Sequence, residues 1–252
     1  MGDSTQQFGL GFSPIDTVLG AGLERGAIHE ILTSHPADVG AAAGFAIALA
    51  LRAVEKAQPV VWVRQTSSGY ATGNLYAPGL KALGLNPDQM ILVELRDTLE
   101  LLRAGLEAMK CTALGAVILE PWGKPQALDF TATRRMALAA TQSGVPVFLL
   151  RPGIEPQHSA AQTRWQIGTA ASRPGLANGP GLPVFNITLL RQRSGPAGQS
   201  WQLEWDHEHR IFRQPTVLTP LSGPLVSPPV RGPLPAPAAS RTQHAPQRAR
   251  AS

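Results

Sequence analysis

The stretch 27–51 most constrains what this chain can fold into, because a short apolar strand, a loop and an alanine-rich helix follow one another directly. Ala27-Ile28-His29-Glu30-Ile31-Leu32 reads as a buried strand, Thr33 to Gly40 as a loop, and Ala41 to Leu51 as a helix. That order is the frame of a phosphate-binding loop, in which backbone N–H groups and a helix N-terminus cradle the phosphates and a lysine reaches the outer ones. The frame is present without its chemistry. There is no G-x-x-x-x-G-K-[ST], and between Arg25 and Arg52 the only basic side chains are His29 and His35. Nothing there is placed to neutralise a triphosphate.

Further apolar runs repeat along the chain: Pro59 to Val63, Met90 to Val93, Ala116 to Leu119 and Val145 to Leu150. Continuous runs of this kind suit strands covered on both faces. Between them the spacing predicts helices over Ala41 to Lys56, Leu75 to Leu83, Thr98 to Met109 and Leu128 to Ser143, the third capped by Asp97 or Thr98 and carrying a stripe of Leu99, Leu102, Leu106 and Met109. Alternation of this sort predicts an α/β fold with a mostly parallel sheet and right-handed crossovers. Arg151 to Pro183, rich in Gly, Pro, Ser and Ala, reads as a long excursion. Val184 to Arg191 and Ser200 to Trp205 flank Gly195-Pro196-Ala197-Gly198 and read as a β-hairpin. From Pro215 to Ser252 nine prolines and almost no aromatic residues argue for a disordered tail, and 1–7 reads as a flexible N-terminus.

Charge separates the tail from the rest. Four arginines and no acid lie beyond Arg213, so the tail carries four of the five net positive charges and the remainder has 18 basic against 17 acidic residues. A pI near 10.0 is therefore a property of the tail and no sign of a nucleic-acid-binding core. Cys111 is the single cysteine, which excludes an internal disulfide and, with no leader-like N-terminal segment, fits the cytoplasm. The longest apolar run, Ala41 to Leu51, is too short to span a bilayer.

Ser13-Pro14-Ile15-Asp16, Leu19-Gly20, the glycine-rich turn Ala21 to Gly26 and Ala27-Ile28-His29-Glu30-Ile31 together resemble the entrance to the RecA core. The stretch from Leu75-Tyr76 through Leu83-Gly84-Leu85-Asn86-Pro87 to Met90-Ile91-Leu92-Val93 is similar to that family's segment after its second strand. With Thr163-Arg164-Trp165-Gln166-Ile167 and the Trp201-x-Leu203-x-Trp205 hairpin, residues 8–214 resemble the ImuA family, bacterial RecA-like accessory proteins of damage-induced mutagenesis. The resemblance implies a RecA-like core with a degenerate P-loop, SOS-induced error-prone translesion synthesis, and two partners, an ImuB-type polymerase-like protein and a DnaE-type polymerase. RecA and single-stranded DNA are further candidates. SulA-type division inhibitors, which would bind FtsZ, and a divergent DNA-dependent ATPase are the alternatives. RecA assembles through an N-terminal element, and Met1 to Gln7 is too little for one, so no RecA-like homofilament is expected.

Set against the RecA pattern, the P-loop lysine would fall at Val39 or Ala41 and the metal-ligating hydroxyl at Gly40 or Ala42, so the region Thr33, Asp38, Val39, Gly40, Ala41 keeps none of the family's phosphate ligands. The catalytic-glutamate region reads Arg64-Gln65-Thr66-Ser67-Ser68. A carboxylate survives only at the Walker B position, Glu120, and a carboxylate at a strand end is expected to be solvated. Phosphoryl transfer depends on positioned cations and an oriented water. The expectation is a non-enzymatic protein with no catalytic residue, cofactor or metal, in which backbone amides at the Ala41 helix start are all that remains to touch a nucleotide. Arg164 and Trp165 pair a guanidinium with an aromatic ring and are candidates for single-stranded DNA contact, or else a strand packing its indole into the core. Trp201 and Trp205 share one hairpin face, directed to the core or forming a partner-docking patch. His207-x-His209 has no companion ligands and supports no metal site.

Overall fold

The computed structural model describes residues 6–55, 57–174 and 181–215, and side chains there except those of 70–72. The chain divides into two units, 1–216 and 217–252. All described residues belong to the first, so the tail expected to be disordered lies, Pro215 apart, outside them.

Strands β1 (Gln7–Phe8) and β2 (Leu23–Glu24) form a small antiparallel pair around helix α1 (Ser13–Val18). Gln7 is therefore held in a strand, a correction to the flexible N-terminus expected over 1–7, while 1–5 lie outside the described residues. The main sheet takes β3 (Ile28–Thr33), β4 (Val60–Gln65), β5 (Met90–Leu95), β6 (Ala116–Glu120), β7 (Val147–Arg151), β8 (Thr163–Thr169), β9 (Val184–Gln192), β10 (Ser200–Asp206) and β11 (Ile211–Arg213) in the order β11-β10-β9-β8-β3-β7-β6-β4-β5. From β8 to β5 neighbours are parallel; from β8 to β11 they are antiparallel. The predicted parallel sheet and closing hairpin are both present.

Helix α2 (Val39–Ala53) covers one face, packing Phe45, Ile47 and Leu49 on Ile31, Trp62, Ile118, Phe148 and Trp165. The segment Pro36–Ala53 has the length and apolarity to cross a membrane, more than the Ala41–Leu51 run suggested, but most of it is buried as a core helix. The other face takes α5 (Thr98–Met109) and α6 (Phe130–Ser143) over Ile28, Val63, Val117, Leu119 and Leu149. Short helices α3 (Thr66–Thr72) and α4 (Ala77–Ala82) follow β4.

Three expectations change. β5 is not covered on both faces: as the edge strand it leaves Ile91 49% and Leu92 40% exposed, because an apolar run reports burial only when another strand flanks it. The excursion after Arg151 contains β8, an interior strand between β3 and β9. The stripe of α5 is also rotated. Leu101, Leu102, Gly105 and Met109 face the sheet and Leu99 is half exposed.

Asp97 caps α5, its carboxylate accepting from the N–H groups of Leu99 (2.8 Å) and Glu100 (3.2 Å). Asp97→Ala should cost about 1 kcal/mol and lower Tm by about 2–4 °C, with Asp97→Asn recovering most of the loss; thermal unfolding of the three proteins checks it.

Candidate functional site

In open parallel sheets, ligands sit beyond the carboxyl ends of the strands, which here means the ends of β3, β4, β6, β7 and β8. β3 ends at Thr33, whose hydroxyl accepts from the Gly153 N–H at 3.0 Å. Ser34 N–H donates to the Ile167 carbonyl at 2.8 Å, a 3-10 turn covers Pro36–Asp38, and α2 begins at Val39. Val39 and Ala41 are half-buried and Gly40 is exposed, so the positions of the missing lysine and hydroxyl are the first turn of a helix with no side chain able to bind phosphate.

Asp38 stands where that helix starts. Its Oδ1 accepts from both the backbone N–H and the hydroxyl of Thr169, each at 2.8 Å, so the carboxylate ties the loop to the end of β8 and caps no helical N–H. Burial works to raise its carboxyl, but the two Thr169 hydrogen bonds and the neighbouring His35 hold it below the ordinary value. The N-terminus of α2 thus carries a fixed negative charge.

The other relic position is equally closed. Glu120 is buried, with 2% of its surface exposed, a correction to the solvated carboxylate expected there. It accepts from the Trp62 indole N–H at 3.0 Å and pairs with Arg64 at 3.3 Å. Register explains the arrangement, since Trp62 lies opposite Ile118 and Arg64 opposite Glu120 on the α2 face of the sheet. Burial pushes the Glu120 carboxyl up, against the pull of Arg64 and the Trp62 hydrogen bond. Gln65, within the 64–68 region matched to the catalytic glutamate, has its amide engaged in structure: Oε1 accepts from the Trp122 N–H at 2.9 Å and Nε2 donates to the Arg96 carbonyl at 3.0 Å.

Neither DNA-contact candidate offers a free surface. Trp165 is fully buried against Phe45, its indole N–H donating to the Thr163 hydroxyl at 2.8 Å, so of the two readings open in the sequence the geometry is that of core packing. Arg164 points to the opposite face, where its Nε meets Glu30 at 2.6 Å and its Nη2 donates to the Gln157 carbonyl and Ser159 hydroxyl. Trp205 is likewise buried, donating to the Leu83 carbonyl at 2.9 Å, its ring centroid 4.9 Å from that of Phe212 with the two planes tilted at 53°. Trp201 is half-buried against the same core. His207 and His209 leave the strand for a turn, His209 pairing with Asp206 at 3.0 Å, and among the described residues no group of three metal-ligating side chains forms.

Sequence reasoning missed the most charged element of the core. Glu30, 0% exposed, sits between Arg151 (3.0 Å) and Arg164 (2.6 Å) and accepts from the Ser159 hydroxyl at 3.0 Å. The signal was available: a glutamate and an arginine within apolar strands must find partners to be buried at all. Which partner belonged to which could be known only from the strand order, which sets β3 between β7 and β8.

No protein-family model matches the chain. It is 32% identical over 199 residues to Protein ImuA of Caulobacter vibrioides, in two strains, a match covering 73% of this chain and 77% of that protein. Among solved structures, the RadB recombinase shares the fold with a TM-score of 0.54 at 14% identity, over 82% of this chain and 99% of that one.

Proposed function

Because the chain belongs to the ImuA family, we propose that it acts as a RecA-like accessory protein of SOS-induced, error-prone translesion synthesis, working by protein contact and not by hydrolysing nucleotide. The partners this reading names are an ImuB-type polymerase-like protein and a DnaE-type polymerase. One observation carries the non-catalytic part: the Asp38 carboxylate fixed by Thr169 at the start of α2. A carboxylate fixed at a helix N-terminus opposes the attraction that the helix end holds for an anion, and no lysine in the loop offsets it. Glu120, held by Arg64 and Trp62, is occupied where a magnesium ligand would have to be open.

Two measurements test the reading separately. Calorimetric titration with Mg-ATP, with and without single-stranded DNA, should give no saturable binding, and turnover should match the buffer blank; DNA-stimulated hydrolysis would refute the non-catalytic role. Co-purification at native abundance from DNA-damaged cells should recover the ImuB-type and DnaE-type proteins. Recovery of FtsZ in their place would hand the role to the division-inhibitor reading.

A further inference from the structure

Helix α6 turns Thr133, Met136 and Ala140 to the sheet, which is enough to hold it. Its outer side carries a ridge that folding does not explain: Phe130, Arg134 and Leu138, four residues apart and so stacked along one side of the helix. Phe130 is 50% and Leu138 60% exposed. The ridge separates two hollows. One, of about 610 Å³, runs from Phe130 and Arg134 toward Ala160 and Arg193; the other, of about 280 Å³, lies between α6 and α5 and is walled by Arg103, Leu106 and Lys110. Arg135 and Leu138 border both.

The charge on this face is one-sided. Glu107 is the single acidic residue lining either hollow, and Lys110 neutralises it at 2.6 Å. Arg193 donates to the Ala160 carbonyl at 3.0 Å. No carboxylate of the described residues forms an ion pair with Arg103, Arg134 or Arg135. Unpaired arginines around exposed apolar anchors make up the arrangement in which a groove receives an amphipathic helix of opposite charge.

The geometry points to this α5–α6 face as the docking site for an acidic amphipathic helix of a partner protein, its apolar side chains seated in the two hollows and its carboxylates on Arg103, Arg134 and Arg135. The chain's own tail is excluded as occupant by sign, since 214–252 carries four arginines and no acid. A second copy presenting the same face would set arginine against arginine. A nucleic-acid strand matches the charge but not the rest, because strand binding stacks bases on successive aromatic rings and Phe130 is the one aromatic residue lining either hollow. The site rests on surface chemistry alone and holds whichever proteins the chain serves.

The full-length protein should bind a fluorescent helical peptide of about 20 residues with leucine at i, i+4 and i+7, alanine as the helix-forming background, and a few glutamates beside the leucines, none of them three or four residues from another. In anisotropy titrations it should bind that peptide at least about tenfold more tightly than the Arg134→Glu/Arg135→Glu variant does, the loss expected when complementary charge becomes repulsive. Leu138→Asp should weaken binding as well, and since all three positions lie on the exposed side of α6, far-ultraviolet circular dichroism should show the variants folded. No binding of the glutamate–leucine peptide, or equal binding of a glutamate–serine peptide lacking anchors, would overturn the proposal. So would tighter binding of an oligothymidylate of about 20 nucleotides that the double variant abolishes, which would make the face a nucleic-acid surface.

Discussion

Glu30→Ala should cost about 3–5 kcal/mol and leave little soluble protein. Both carboxylate oxygens are committed, Oε1 to Arg151 and Oε2 to Arg164 and the Ser159 hydroxyl, and neither arginine has an alternative route to water, with Arg151 2% and Arg164 8% exposed. Truncating the glutamate strands two guanidinium groups inside the sheet. Against a total stability of about 5–15 kcal/mol the loss is decisive, and urea unfolding of whatever folds will measure it. The same reasoning separates breaking the cluster from replacing it. A triple variant, Glu30→Leu with Arg151→Met and Arg164→Leu, removes the three charges of the triad at once, leaves the neighbouring Arg191 on its backbone carbonyls, and should unfold within about 1 kcal/mol of the native chain or above it, as buried ion clusters often do when exchanged for packed apolar residues. If Glu30→Ala unfolds at the native urea midpoint, the triad is not holding β7, β3 and β8 together.

Much of the fold was legible because its strands are dense in Val, Ile and Leu and its helices repeat at helical spacing. Thr98–Met109 came out with its observed ends, since Asp97 marks one end and the apolar stripe runs out at the other. The misses share a cause: burial depends on neighbours that one segment cannot reveal. Met90 to Val93 looks like an interior strand and lies at the edge; Thr163 to Thr169, where a strand at Trp165 is one of two readings within an excursion, lies in the middle, because its polar residues are satisfied by β3 through Glu30 and His29. The strand, loop and helix that frame 33–40 were legible in the sequence. The Asp38–Thr169 link that ties this loop to β8 was not, since it joins residues 131 apart in sequence. Glu120 failed for the same reason, its two partners being supplied by the adjacent strand β4.

Acid should destabilise this protein through His29, and the sign follows from where the proton sits. The ring is fully buried beside Phe8 and Phe148, its Nε2 2.8 Å from the Glu24 carbonyl and its Nδ1 2.8 Å from the Thr163 hydroxyl. The carbonyl can only accept, so Nε2 carries the hydrogen and Nδ1 must accept from Thr163, whose oxygen in turn takes the Trp165 N–H. A second proton, on Nδ1, would make the Thr163 hydroxyl accept from both His29 and Trp165 and deprive its own hydrogen of the Nδ1 acceptor. Burial lowers the imidazole from 6.5 to about 4, opposed only by the Glu24 hydrogen bond. Between those values the unfolded chain holds a proton that the folded chain refuses. Stability is therefore full above pH 6.5 and falls as pH drops toward 4, by about 1.4 kcal/mol per unit and on the order of 3 kcal/mol in all. Asp38, held below its ordinary value, loses its contribution only at lower pH, while Glu120, held above its own, works in the opposite sense as acid is added. The measurement is accordingly a difference. Urea unfolding of the native chain and of His29→Gln at pH 7 and pH 4.5 should show the variant weaker at neutrality, with an acid loss smaller by about 2–3 kcal/mol. Parallel profiles for the two proteins would mean that His29 is not the group that resists the proton.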